Sequence, residues 1–144
     1  MLQMGGTVYD LEEAELCYAP PFGSAKDPMN FAGMVAADIL RGDMKISHWK
    51  EAKSGFMLDV RHPMELAVEH VDGAVNIPLD DLRSRLNELP KDREIHVICR
   101  SGQRAYYAAR ILTQHGYNAK IISGGMLSLA HNYLFDMNKA DVNP

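Results

Sequence analysis

Cysteine is scarce in this sequence: Cys17 and Cys99 are the only two, separated by more than half of the 144 residues. That count excludes the disulfide framework of a small secreted scaffold, so each cysteine is judged by its own chemistry. No stretch approaches the 18 or more apolar residues that a membrane-spanning helix requires. Fifteen Lys and Arg stand against 19 Asp and Glu, and the net charge of −4 has the wrong sign for a chain built to coat nucleic acid. Neither a membrane nor a nucleic acid is therefore an expected partner. The opening Met1-Leu2-Gln3-Met4-Gly5-Gly6 has no basic segment and no apolar run of a secretory signal, which makes a reducing cytoplasm the expected compartment. The six histidines are scattered and read as surface or core side chains, so no metal site is expected. No Gly-x-Gly-x-x-Gly turn follows a strand, so no dinucleotide-binding unit is expected either.

What is present is an ordinary apolar fraction, 47%, enough for a packed core without staples. Two pieces can be read, residues 1–43 and 44–144. In the first, Thr7-Val8-Tyr9 reads as strand-like and Asp10 to Glu15 as a short acidic helix. Pro20, Pro21 and Gly23 then forbid regular structure. Asp27-Pro28 reads as a helix start, an oxygen-bearing cap followed by proline at the first helical position, with the helix over Met29–Leu40 and Arg41-Gly42 closing it.

The second piece alternates strand and helix signals. Strands are expected at Phe56–Val60, Ala74–Ile77, Glu94–Cys99 and Asn118–Ile122, and helices at Ser47–Lys53 (capped by Ser47), Met64–Glu69, Asp80–Leu89, Arg104–His115 and Met126–Leu134. This alternation predicts an α/β domain with a mostly parallel sheet covered by helices on both faces. Ligands of such folds bind beyond the carboxyl ends of the strands, and Cys99 falls at one.

Cys99-Arg100-Ser101-Gly102-Gln103-Arg104 is a tight loop entering a helix. Such a loop can aim several backbone N–H groups at one point, at the positive end of the helix dipole. A sulfur placed there is favoured as thiolate, and two arginines add positive charge. The loop thus describes a nucleophile, Cys99, in an anion cradle made by Arg100, Ser101, Gly102, Gln103 and Arg104. The plainer alternative is a structural cysteine at a strand end beside two solvated arginines. Cys17, in an apolar stretch, has a structural reading only.

These residues resemble the active-site loop of rhodanese-like sulfurtransferase domains. Leu58-Asp59-Val60-Arg61, His70 to Pro78 and Ser123-Gly124-Gly125-Met126 resemble three further motifs of that family, in its order and spacing, over about residues 45–130. Met126 replaces the aromatic residue usual after the two glycines. The resemblance implies a rhodanese-like fold and a sulfurtransferase. Cys99 would take sulfane sulfur from thiosulfate, polysulfide or a low-molecular-weight persulfide, such as that of coenzyme A. It would pass that sulfur to a thiol or cyanide. The loop amides would hold the transferred sulfur and Arg100 or Arg104 would attract the donor. Arg61 is a candidate for the pocket wall, or equally a salt-bridge partner of Asp59. Four residues separate Cys99 from Arg104; phosphatases and arsenate reductases of this fold have one more, which makes them the lesser enzyme alternative. A non-catalytic docking or sulfur-sensing module is the other.

Tyr9 to Glu12 and Leu16-Cys17-Tyr18-Ala19-Pro20-Pro21-Phe22-Gly23-Ser24-Ala25-Lys26-Asp27-Pro28-Met29-Asn30 resemble a different family. They are similar to the end of the dimerisation domain of pyridine nucleotide-disulfide oxidoreductases of the coenzyme A-disulfide reductase type, over residues 5–43. Some of these reductases continue directly into a rhodanese-like domain. The chain is thus identified as resembling the C-terminal part of such a fusion, either a piece of it or a remnant that has lost the reductase. FAD, NAD and coenzyme A are expected only with the full fusion, and no cofactor is expected in this chain. The family role of the first piece makes a homodimer one expectation.

Overall fold

This computed structural model describes residues 2–17, 19–23, 25–52 and 55–129. The chain divides into two compact units, residues 1–43 and 44–144.

The first unit is a helical pair, α1 (Val8–Glu12) and α2 (Pro28–Arg41). The segment expected as strand-like, Thr7-Val8-Tyr9, instead opens α1. Thr7 caps it by accepting from the Asp10 N–H, while the Asp10 carboxylate accepts from the Thr7 N–H at 2.7 Å. This reciprocal cap satisfies two otherwise orphaned donors and overrides the strand preference of Val8 and Tyr9. The cap of α2 is Asp27, whose Oδ1 accepts from the Met29 N–H at 2.8 Å, and Gly42 ends the helix in the left-handed conformation. Asn30 ties the two helices by donating to the carbonyls of Leu11, Glu12 and Ala14.

The second unit is built on five parallel strands in the order β1-β5-β4-β2-β3. These are β1 (Ile46–Ser47), β2 (Phe56–Asp59), β3 (Val75–Asn76), β4 (Ile95–Ile98) and β5 (Ala119–Ile122). Helices accompany them, among them α3 (Trp49–Ala52), α4 (Pro63–Leu66) and α5 (Gln103–Gln114). All four residues of β4 are buried, as expected for a central parallel strand covered on both faces. On one face Ile98 and Ile122 pack with Trp49 and Ala52 of α3 and with Met126. The expected α/β architecture, a parallel sheet with helices, is what the chain forms.

Two local expectations of the second unit change. Ser47 is a strand residue, not a helix cap: it is fully buried and its hydroxyl lies 2.9 Å from Nδ1 of His96. That partner is 49 residues away, so local sequence could not announce it. Residues Asp80 to Leu89 form two single 3₁₀ turns, Leu82–Ser84 and Leu86–Glu88, rather than one helix. The last helix is seen over 125–129, and the rest of the expected Met126–Leu134 lies outside the described residues.

Chain direction matters for the site. From β2 the chain goes to β3 on one side, whereas from β4 it goes to β5 on the other. The carboxyl ends of β2 and β4 are therefore a topological switch point, where the loops that follow diverge and leave a crevice. Cys99 follows β4 there.

Candidate active site

Cys99 is 1% exposed, and its Sγ accepts a hydrogen bond from the Gly102 N–H at 3.1 Å. The bond requires the chain to reverse within three residues, and Gly102 does this at φ 118°, a conformation that side chains rarely adopt. Gly102 is also the N-cap of α5, 12 residues long. The amides of Gln103, Arg104 and Ala105 occupy its first turn and have no acceptor within the helix. The sulfur is thus placed at the positive end of a full-length helix, with one amide already bound to it.

A second turn fixes the loop from behind. The Met126 N–H donates to the Cys99 carbonyl and the Leu127 N–H to the Arg100 carbonyl, both at 3.0 Å. Gly125 approaches so closely that a Cβ there would overlap the Cys99 carbonyl oxygen and stand 2.9 Å from that of Arg100. The Ser123-Gly124-Gly125-Met126 motif and the Cys99 loop therefore form one unit of backbone.

The residues expected to bind substrate do not all behave alike. Ser101, Gly102 and Gln103 lie in the loop and first helical turn, as the spacing requires. Arg100 is exposed, with no ion-pair partner among the described residues. Arg104 is half-buried and engaged: its two terminal nitrogens donate to the two carboxylate oxygens of Glu65 at 2.5 and 2.8 Å. Arg61 is 3% exposed, and its guanidinium donates three bonds to the Asp59 carboxylate and one to the Glu69 carbonyl. Of its two readings, the salt bridge with Asp59 is the one the structure displays.

Glu65 was not among the sequence candidates. It lies on α4, after β2, and its Oε1 also accepts from the His62 N–H at 3.1 Å. The Arg104 guanidinium, and secondarily that backbone amide, hold its carboxyl well below the usual carboxylate range, at about 2. Glu65 pushes Arg104 in the opposite sense, up from an already high value, and the nearby Cys99 sulfur adds to that push. The two residues are 39 apart in sequence and meet at the switch point between β2 and β4.

None of the five strands runs into a Gly-x-Gly-x-x-Gly turn. Among the described residues, no three His, Cys, Asp or Glu side chains gather as a metal site would require.

Comparison with known proteins agrees with this geometry. Residues 44–132 match the rhodanese-like domain family. A sulfurtransferase of Allochromatium vinosum is 35% identical over 79 residues, which cover 54% of this chain and 74% of that protein. Among solved structures, reduced CoADR-RHD of Bacillus anthracis is 43% identical with a TM-score of 0.81 over 86% of this chain. An NAD-dependent persulfide reductase from A. fulgidus is 37% identical with a TM-score of 0.76 over 87% of it. The chain spans 23% of each of those two proteins. Likeness over 86% of 144 residues exceeds what residues 44–132 alone supply, so it extends into the first unit. A strand-end cysteine under a glycine-capped helix, on a five-stranded parallel sheet matched over residues 44–132, makes this chain a member of the rhodanese-like domain family.

Proposed function

We propose that the chain transfers sulfane sulfur through a persulfide on Cys99, and the observation that carries this reading is the Gly102 N–H bound to Sγ at the N-terminus of α5. The Cys99 thiolate attacks the outer sulfur of a donor. With thiosulfate the S–S bond breaks, sulfite leaves with the electron pair, and Cys99 carries S–S⁻. The terminal sulfur of that persulfide bears the charge, and the remaining first-turn amides of α5 are the donors that stabilise it. An acceptor thiolate, or cyanide, then attacks the terminal sulfur, and Cys99 leaves as thiolate again. Burial of Cys99 supports the scheme by sheltering the intermediate from bulk water and oxidants.

The donor class extends to low-molecular-weight persulfides, that of coenzyme A included. What supports this is the likeness to CoADR-RHD and to an enzyme whose name is persulfide reductase. In a fusion of that kind, FAD and NAD would act outside the residues of this chain. Steady-state transfer from thiosulfate, or from a hydropersulfide, to cyanide tests the reading. Repeated turnover is expected. A protein that accepts one sulfur and never releases it would instead be a sensing module.

A further inference from the structure

We infer that Glu65 sets the donor preference of the Cys99 loop, cancelling the charge of Arg104 so that donors of low charge are accepted over dianions such as thiosulfate. The inference rests on the sulfurtransferase reading and concerns which donor that site takes.

Arg104 sits two residues after Gly102, the residue whose N–H holds the Cys99 sulfur. Its guanidinium would be the natural receptor for an oxyanion, because its paired N–H groups match two oxygens at once. Both terminal nitrogens are already committed to Glu65 in that two-pronged geometry. Glu65 is in turn fixed by the His62 amide and presents a preformed carboxylate rather than a wandering one. Its low carboxyl value keeps it ionised throughout the neutral range. Among the described residues of the loop, what remains for an incoming donor is the exposed charge of Arg100 and the backbone amides.

The two donor types load this site differently. Thiosulfate brings two negative charges to a thiolate and must release sulfite, also a dianion. A hydropersulfide R–S–SH brings one charge or none. Attack on its outer sulfur breaks the S–S bond, R–S⁻ leaves with the electron pair and takes up the proton, and Cys99 again carries S–S⁻. A site with one net cation suits the second donor. A site with two would suit the first.

The test measures persulfide formation on the full chain as kcat/KM for thiosulfate and for the hydropersulfide of a small uncharged thiol, with cyanide as common acceptor. Glu65→Gln keeps a carbonyl oxygen for hydrogen bonding but removes the charge. One nearby charge unit, at the ~1 kcal/mol scale of a solvent-screened Coulomb interaction, changes the rate roughly fivefold for each unit of donor charge. The ratio of thiosulfate to hydropersulfide kcat/KM should therefore rise about fivefold in Glu65→Gln and stay near wild type in Glu65→Asp. A ratio unchanged in Glu65→Gln, with both donors gaining or losing together, would show a merely structural residue and overturn the inference. Should Glu65→Gln fail to fold, Arg104→Gln carries the test: leaving Glu65 unbalanced should lower the ratio about fivefold, and equal losses for both donors overturn the proposal. A wild-type protein that moves sulfur from neither donor would instead refute the sulfurtransferase reading itself, and the inference with it.

Discussion

Gly125→Ala should damage the protein at the back of its reactive loop, and the size of the damage follows from two separate terms. Gly125 has φ 53°, in the left-handed region, where an alanine costs about 1 kcal/mol. Its new Cβ would also overlap the Cys99 carbonyl oxygen and crowd the Arg100 carbonyl, both backbone atoms that cannot swing aside. Forcing extra volume into a packed site costs about 1–3 kcal/mol. Together the loss is about 3 kcal/mol, a large share of the ~5–15 kcal/mol that holds a domain folded. With a urea slope of about 2 kcal/mol/M, the midpoint should fall by about 1.5 M. Gly116→Ala is the control: Gly116 has φ 81° but nothing within 4 Å of the added carbon, so only the backbone term of about 1 kcal/mol applies. Urea titration of both variants, with transfer assayed on the folded protein, separates the two terms. Gly125→Ala should also transfer sulfur more slowly, because the displaced carbonyl belongs to the nucleophile. Equal stability losses in the two variants, or full activity in Gly125→Ala, would refute the claim that this turn braces the loop.

Arg61→Leu should lose about 3–5 kcal/mol of stability, because it strands the fully buried Asp59 carboxylate; a stable variant with only a raised KM would return Arg61 to the substrate pocket. His96 is 3% exposed, between the Ser47 hydroxyl and the Glu94 carboxylate, with Lys120 and Glu51 also near; burial above all pulls its pKa below the ordinary value. Above about pH 6.5 both folded and unfolded His96 are neutral and nothing is gained or lost. Below that, the unfolded chain takes up the proton more readily, so stability should fall as the pH drops from 7 toward 5. Urea midpoints across that range should show a smaller fall in His96→Gln. Asp27→Ala removes the cap on Met29 N–H and should lower the helicity of α2, at a cost of about 1 kcal/mol, measured by circular dichroism with heating.

The elements written in local chemistry were legible in the sequence. Asp27-Pro28 and Gly42 bound α2 because a cap acts through residues two or three positions away. Cys99 was legible for the same reason: strand, glycine and helix follow one another within six residues. What escaped is what distance decides. Ser47 carries a cap-forming side chain, yet its hydroxyl serves a histidine on another strand. Leu82, Leu86 and Leu89 keep helical spacing, but the chain between them breaks into two 3₁₀ turns. Thr7-x-x-Asp10 was a readable cap that the β-branched Val8 obscured. Glu65 left a fainter signal, an acidic residue in the short helix after β2, which adjoins the loop after β4 only once the strand order is known.

The central claim is that sulfur rides on Cys99. Intact-protein mass after exposure to thiosulfate, polysulfide or coenzyme A persulfide, then removal of excess donor, measures it directly. The account predicts a gain of one sulfur atom in the wild type, lost on adding cyanide, and no gain in Cys99→Ser. A sulfur adduct that survives in Cys99→Ser and still discharges to cyanide would contradict it.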